Sequence, residues 1–490
     1  MCNNAVVKEN TDSLLTIAQL LDSVNGTIIG HSYNASSFLF TSVVTDSRNV
    51  TKNSLFVPLI GEFQDGHKYI PQAIEKGASV IFVARVSYES DTDGYEELCE
   101  KHPDTALVLV ENTLHALQQA AGRYVEKFPS LIRVSVTGSS GKTTTKEITA
   151  SVLRQKYNVV CNKGNLNSET GLPLSCFEIR REHELALLEM GMNRENEIGE
   201  IAETFKPQYG AVTNIGTAHI GLLGSRENIA REKRKIFTYL DENGVAVIPA
   251  EDDFADYLCE GVKGRIVKYG KSVKDNGIEF VSDDGIDGTT FRIDGVTVHL
   301  SIPGKYNFND CLAAVELGRA LGLTAEQIKA GVEAVQPLSG RSHILKGNFT
   351  ILEDCYNANP DSMEKAIEFA ASVKFSGKKI FVLGSMLELG DESSEAHKNA
   401  GIEAVKGEAD MVVFVGKEMI AGYKAAESMK QEHKNLRLEY FENHGHEDMN
   451  AIADLIKGFA EKGDFILLKG SHGIALNRLV ELLNGEKGVS

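Results

Sequence analysis

The stretch "RVSVTGSSGKTTTKEIT", Arg133 to Thr149, decides how the chain is read. A strand-like alternation ending at Thr137 runs through Gly138-Ser139-Ser140-Gly141 into a helical segment that opens with Lys142-Thr143-Thr144. A strand, a glycine turn and a helix start in succession aim several backbone N–H groups at one point, and the helix dipole makes that point an anion site. Lys142 adds a point charge for the β- and γ-phosphates of a nucleotide, and the Thr143 hydroxyl is placed to hold Mg²⁺. The spacing differs from the general G-x-x-x-x-G-K-[ST], which would put the first glycine at Val136; the chain offers Gly138 in a shorter turn. A Gly/Ser turn capped by Ser140 is the competing reading. Three threonines after the lysine argue against it, because β-branched residues are modest helix formers.

The 490 residues exceed one compact core and predict about three domains. A net charge of −18 argues against a nucleic-acid partner or an anionic membrane surface, both of which need a broad basic face. The seven cysteines are scattered, odd in number and never in C-x-x-C spacing, as expected of reduced thiols in a cytosolic protein. No window approaches the ~18 apolar residues of a membrane span. "MCNNAVVKENTDS" has no basic region followed by an apolar run, so a cytoplasmic protein without membrane insertion is expected.

Outward from the glycine turn, short apolar runs alternate with helical segments, which predicts α/β architecture with mostly parallel sheets. "SLFVPLIG", "SVIFVA" and "ALVLVEN" form a first, smaller α/β block that ends near Pro129-Ser130. "IRVSVTG", "ELALLEM", "YGAVTNI" and "GVAVIPA" form a central P-loop block. Between Lys274 and Ser301 it changes to Gly/Asp turns and β-branched alternation, an antiparallel insertion. Helices near Asn309–Leu321 and Thr324–Val335 follow, and "QPLSGRS" marks the second boundary. "FTILEDC", "KKIFVLGS", "DMVVFVG", "LRLEYFE" and "DFILLKGS" then give a Rossmann-like block without G-x-G-x-x-G. The domains expected are residues 1–129, 130–336 and 337–490.

Glu189 ends the apolar run "LALLE", where a lone acid is costly unless paired or bound to a cation; a solvated strand end is the alternative. His219, in "TNIGTAHIG", reads equally as a satisfied structural histidine. His444 and His446, in "NHGHED", read as a polar loop capping the next helix rather than a metal site.

"VTGSSGKTTTKE", "KGNLNSETGLPL", "LLEMGMN", "VTNIGTAHIGLLGSRENIAREKRKIF" and "PGKYNFNDCLAA" together resemble the central domain of the Mur ligases. These are ATP-dependent amide-forming enzymes whose P-loop is the short T-G-x-x-G-K-T version. The P-loop alone would be shared with folylpolyglutamate synthetases. "TDSRNVTKNSLFVPLIGEFQDGHKYIPQAIEKGA", "EDCYNANPDSM" and "LGSMLELGDESSEAH" extend the resemblance over roughly Asp46 to Leu482. They narrow it to the type that joins D-alanyl-D-alanine to UDP-N-acetylmuramoyl-tripeptide. A ligase adding the third residue of the peptide, and a nucleotide-gated switch that never ligates, are the alternatives.

The resemblance implies ATP and Mg²⁺ as cofactors, with ATP bound by Thr137, Gly138, Ser139, Ser140, Gly141, Lys142, Thr143 and Thr144. It further implies Asn307 at the adenine, Arg341 at the phosphates and Asp354 near the ribose. Lys142, Glu189, His219 and Lys233 are the implied catalytic residues. Thr143, Glu189, His219 and a carbamate formed on Lys233 are the implied metal ligands. Ser47, Arg48, Asp65, Gly66 and His67 would grip the UDP substrate, and Tyr356, Asn357 and Asn359 would face D-Ala-D-Ala. The family's H-N-x-x-N reads "YNFND" here, with Tyr306 and Asp310 in the flanking places, and His472 stands where an arginine is more usual. Lys233 lies in "REKRKIF", a charge run that ordinarily marks a solvated face, yet it sits four residues from both Ile229 and Phe237. A monomer is expected.

Overall fold

The computed structural model of the chain describes residues 13–30, 38–431 and 433–485. These fall into two compact units. The first comprises the chain up to Val134, Asn158–Met192 and Asn196–Pro207; the second comprises Ser135–Tyr157, Asn193–Glu195 and the chain from Gln208 onward.

In the first unit, strands β1 (Thr27–Ile28), β2 (Ser42–Val44), β3 (Ser54–Phe56), β4 (Ala78–Ala84) and β5 (Ala106–Val110) form a sheet in the order β1-β5-β4-β3-β2. β1 is antiparallel to β5 and the other pairs are parallel. β4 reads "ASVIFVA" and is buried along nearly its whole length, the continuous apolar run expected of a parallel strand covered on both faces. Phe56, Ile70, Ile81 and Val83 belong to the core beneath it. Asn112 starts the helix Thr113–Val125 by accepting from the Leu114 and His115 amides at 2.9 and 3.0 Å. β6 (Ile132–Thr137) is divided, its first three residues belonging to this unit and its last three to the second. β7 (Val159–Cys161) and β8 (Leu185–Glu189) pair in parallel within the first unit.

In the second unit, β9 (Tyr209–Val212), β10 (Val245–Pro249) and β11 (Arg265–Tyr269) follow the end of β6 in the order β11-β10-β9-β6. The three-stranded antiparallel sheet β12 (Ile278–Asp283), β13 (Thr289–Ile293) and β14 (Val296–Leu300) is the insertion expected from the Gly/Asp turns. The two helices after it run Lys305–Ala320 and Ala325–Glu333. The Rossmann-like sheet comprises β15 (His343–Lys346), β16 (Thr350–Asp354), β17 (Lys379–Gly384), β18 (Met411–Val415), β19 (Arg437–Phe441) and β20 (Phe465–Lys469). Its order is β15-β16-β20-β17-β18-β19, with only β15 antiparallel among the described strands. Apolar cores cover both faces of this sheet.

The helix after β16 starts at Pro360, because Asn359 caps it and proline fits the first helical turn. β15 and β11 were not anticipated. Both are edge strands with mostly half-buried or exposed residues, so neither shows the apolar run that marks the inner strands.

The helices Ser393–Lys406 and Ile420–Met429 touch through Gly401 and Gly422. A Cβ at Gly401 would run into the Gly422 carbonyl oxygen. Overpacking of this kind costs about 1–3 kcal/mol, which outweighs the ~1 kcal/mol that alanine gains over glycine inside a helix. Gly401→Ala should therefore lower the urea midpoint without changing the slope of the transition. A raised midpoint would show that the two helices do not meet there.

Candidate active site

The P-loop is built around two glycines with no room for a side chain. A Cβ at Gly138 would run into Thr213 Oγ1, and one at Gly141, which has φ 79°, would meet the Asp310 carboxylate. Gly141 is the residue before the helix Lys142–Leu153. Thr213 N donates to Thr137 O at 2.9 Å and Ser139 N to Asn214 O at 3.0 Å, so the end of β6 and the chain after β9 are hydrogen-bonded side by side. Asn214 also accepts from Ser140 N through Oδ1 at 3.1 Å and donates to Ser140 O through Nδ2 at 3.0 Å. Thr143 and Thr144 are buried in the first turn of the helix.

Two ammonium groups converge on the Gly138 carbonyl. Lys142 Nζ donates to it at 2.9 Å and to Ser139 O at 3.3 Å, and Lys233 Nζ donates to it at 2.8 Å. Lys233 is only 1% exposed, so the solvated-face reading of its charge run is wrong for this residue. Ile229 and Phe237 are buried as well, and the helix Arg226–Arg234 carries Lys233 inward with them. Like charges this close repel at reduced dielectric, which favours an anion beside them.

His219 adopts φ 65°, a conformation that costs a residue with a Cβ and persists where the surroundings impose it. Burial holds its imidazole down at about 3, with Lys142 and Lys233 pushing the same way, so the ring is neutral. Its Nδ1 is buried and lies 3.3 Å from Glu388 Oε2 without forming a hydrogen bond. A neutral imidazole with an unbonded ring nitrogen suits a metal ligand. Among the described residues no three His, Cys, Asp or Glu side chains converge as a metal cage. Mg²⁺ needs no such cage, since it is commonly held by one or two protein groups together with phosphate and water.

The nucleotide residues expected after the P-loop lie in the same unit. Asn307 is buried and donates to Pro303 O at 2.6 Å. The Arg341 guanidinium stacks 4.1 Å from the Tyr356 ring centre, and His472 meets the same ring edge-on at 5.7 Å. Asp354 pairs with Lys469 at 2.8 Å, and Lys469, buried, also donates to Asn357 O at 2.9 Å. Asn359 caps the helix Pro360–Ser372 with its oxygen and gives its Nδ2 to Ser140 Oγ at 3.0 Å. Burial pushes the Asp310 carboxyl well above the carboxylate range, against the pull of Lys365, Thr145 and Arg341.

Glu189 and the UDP-side residues belong to the first unit. Glu189 is buried, and its Oε1 accepts from Asn167 Nδ2 at 2.6 Å; the solvated strand end is excluded. The Asn162 amide brackets the Glu189 backbone, accepting from its N at 3.0 Å and donating to its O at 3.1 Å. Arg48 projects outward with its side chain 82% exposed and hydrogen-bonds Asp46, whose carboxyl it holds at about 2. Ser47 is buried and donates to Gln72 Oε1 at 2.7 Å. Gly66 has no room for a Cβ against Leu59 N and O. His67 Nε2 accepts from Ala84 N at 3.0 Å, so the ring proton is on Nδ1, facing Asp65 at 2.6 Å. Both His67 nitrogens are thus engaged inside the fold, and Arg48 is the outward donor of the set.

Three family descriptions match successive stretches: the Mur ligase family catalytic domain at residues 39–125, the Mur ligase middle domain at 136–318, and the Mur ligase glutamate ligase domain at 340–472. The UDP-N-acetylmuramoyl-tripeptide–D-alanyl-D-alanine ligase of Treponema pallidum is 36% identical over 97% of this chain and 100% of its own. The chain belongs to the Mur ligases. Its fold superimposes on a crystal structure of MurF from Acinetobacter baumannii with a TM-score of 0.82, at 29% identity over 96% of this chain and 99% of that one. The MurF ligase of Thermotoga maritima, solved in complex with ADP, gives 0.74 at 29% identity, covering 91% and 97%.

Three features of this Mur ligase escaped the reading of its residues. Asn162 and Asn167 support Glu189, and a buried lysine, Lys469, anchors Asp354; single amides and a strand-end lysine carry no spacing signal. The third is a cavity of about 820 Å³ at the carboxyl ends of β17, β18, β19 and β20, where open α/β sheets bind ligands. Lys417, Glu418, Glu442, His444, Asp448 and Arg478 line it, so it offers charge of both signs. His444 thus faces a cavity, while Gly445 N donates to Asp448 at 2.9 Å in the cap of the helix from His446.

The turn from Leu338 to Ser342 is pinned to β16 through Glu353, which accepts from Ser339 at 3.2 Å and His343 at 3.3 Å. Burial raises the Glu353 carboxyl, but hydrogen bonds from His343, the Gly340 backbone and Ser339 outweigh it and leave the group below its ordinary 4.5. A depressed carboxyl contributes stability above 4.5 that is lost as pH falls through its folded value. Glu353→Gln should lower the melting temperature at pH 7 and flatten its fall in the acid range below 4.5. An unchanged acid limb would show that Glu353 does not hold the turn.

Proposed function

We propose that the chain is an ATP-dependent ligase that joins D-alanyl-D-alanine to UDP-N-acetylmuramoyl-tripeptide. The observation that carries this reading is the convergence of the Lys142 and Lys233 ammonium groups on one P-loop carbonyl beside a neutral His219. A carboxylate is a poor acyl electrophile. The terminal carboxylate of the tripeptide therefore attacks the γ-phosphorus of ATP, forming an acyl phosphate and releasing ADP. The dipeptide amine then attacks the acyl carbon through a tetrahedral intermediate, and phosphate leaves.

Two anions must meet in the first step, so the protein's work is to neutralise charge and hold the line of attack. Lys142 meets the developing γ-phosphate charge, and the P-loop amides from Gly141 to Thr144 hold the β-phosphate. Thr143, Glu189, His219 and a carbamate on Lys233 would hold Mg²⁺, which supplies Lewis-acid charge at the phosphates. The carbamate forms when neutral Lys233 Nζ attacks CO₂ and loses a proton, turning a cation into an oxygen ligand of the kind Mg²⁺ prefers. Asn307 reads adenine, Arg341 the phosphates and Asp354 the ribose. Arg48 reaches outward to the UDP end, from turns that Ser47 and Asp65 to His67 hold in place within the fold. Tyr356, Asn357 and Asn359 face the dipeptide, a zwitterion whose carboxylate and ammonium suit the two-sign cavity at the carboxyl ends of β17, β18, β19 and β20. Residues 1–129, 130–336 and 337–490 carry these three tasks in turn, in a cytoplasmic monomer.

ATP consumption by the purified protein, with each substrate omitted in turn, tests the reaction. Turnover should require both the UDP-tripeptide and D-Ala-D-Ala. Turnover with a UDP-dipeptide and a free amino acid would identify the ligase that adds the third residue, and slow hydrolysis needing neither substrate would identify a switch. Lys142→Ala should cost about 10²–10³-fold in kcat while the fold is kept.

For Lys233, activity should fall in CO₂-depleted buffer and return with bicarbonate, and Lys233→Ala should be inactive with or without it. Indifference to CO₂ in the parent enzyme would reject the carbamate.

A further inference from the structure

The first residues of the helix Pro360–Ser372 lie against the turn that presents His219. Asp361 Oδ2 accepts from both Thr217 N, at 2.8 Å, and Thr217 Oγ1, at 2.9 Å. A Cβ at the preceding Gly216 would run into that same oxygen. Gly216 N in turn donates to Ser139 Oγ of the P-loop at 2.9 Å. Two residues before Asp361, Asn359 donates to Ser140 Oγ. The start of this helix therefore holds the P-loop at Ser140 and the His219 turn at Thr217.

We infer that Asp361 is a positioning residue for the ligation reaction: it fixes the Gly216–Thr217 turn and thereby the direction in which His219 is presented. His219 follows two residues later at φ 65°, a conformation that holds only if neighbouring contacts impose it. On the far side, Gly221 is pressed against the Glu388–Gly390 backbone, where an added Cβ would lie 2.9 Å from Glu388 O and 2.8 Å from Gly390 N. The strained residue is thus held between two contacts from the Rossmann-like sheet's connections, and Asp361 supplies the one made by hydrogen bonds. An acid in the first turn of a helix also complements its dipole, but that role is met facing solvent and needs no bond to Thr217. The consequence is that His219 takes its final direction only while the helix Pro360–Ser372 is docked.

This rests on the proposed place of His219 in the phosphate and metal site, so the experiment separates the two. In protein free of nucleotide and metal, Asp361→Ala should make the Thr217 amide exchange about tenfold faster, as loss of one net hydrogen bond implies. In the assay it should lower kcat about 100-fold, the effect of a misplacement near 1 Å, with the KM for ATP and for the UDP-tripeptide within about threefold of the parent. Asp361→Asn keeps one acceptor oxygen and should recover most of kcat. If Asp361→Ala does not fold, Thr217→Val, which removes only the hydroxyl donor, should still lower kcat at unchanged KM. Unchanged kcat and unchanged Thr217 exchange in Asp361→Ala, with His219→Ala inactive, would overturn the role of Asp361 alone. A fully active His219→Ala would overturn the reading of the site beneath it.

Discussion

Two lysine ammonium groups on a single backbone carbonyl, that of Gly138, set the terms for the rest of this site. Such a pair is stable only where the surrounding groups accept its field, and the groups around it do so in different ways. His219 stays neutral, and the carbonyl oxygens of Gly138 and Ser139 face the cations. Gly138 has no side chain because Thr213 Oγ1 occupies the place of its Cβ, and Lys233 reaches the carbonyl only because its helix is buried. Replacing any of these parts changes the position of charge relative to a phosphate.

The Rossmann-like part contributes to this region through ordinary requirements of buried polar groups. A helix start must satisfy its free N–H groups, and Asn359 does so with its oxygen, which leaves its amide for Ser140. A buried ammonium must be paired, and Lys469 is paired with Asp354 and Asn357 O. Tyr356 takes the Arg341 guanidinium over its ring and meets the His472 ring edge-on. Capping, pairing and stacking are each local, yet together they place the residues expected around the nucleotide.

Much of the architecture was legible because the inner strands are buried on both faces and must be continuous apolar runs. β4, β8, β10, β17, β18 and β20 all read this way. The edge strands β11 and β15 were not legible, since exposure on an edge removes that signal. Glu189 was correctly suspect as a lone acid on an apolar run, and its burial follows from the strand it ends. The charge run around Lys233 misled in its plain reading, because all five residues from Arg231 to Lys235 are charged and only the turn of the helix sets buried Glu232 and Lys233 apart from the rest. The family resemblance, rather than spacing, singled it out.

By itself the sequence determined the short P-loop, the alternation of strand and helix, the antiparallel insertion and the membership of a ligase family. These depend on residues near one another in the chain, where backbone sterics and burial period act locally. Only the tertiary structure decided that Lys233 and Lys142 share one carbonyl, that His67 has both nitrogens engaged, and that Asp361 holds Thr217 across 144 positions of chain. Hydrogen bonds between such distant residues are set by how helices and sheets pack. A residue's type shows that it can form one, while its partner is fixed by the fold.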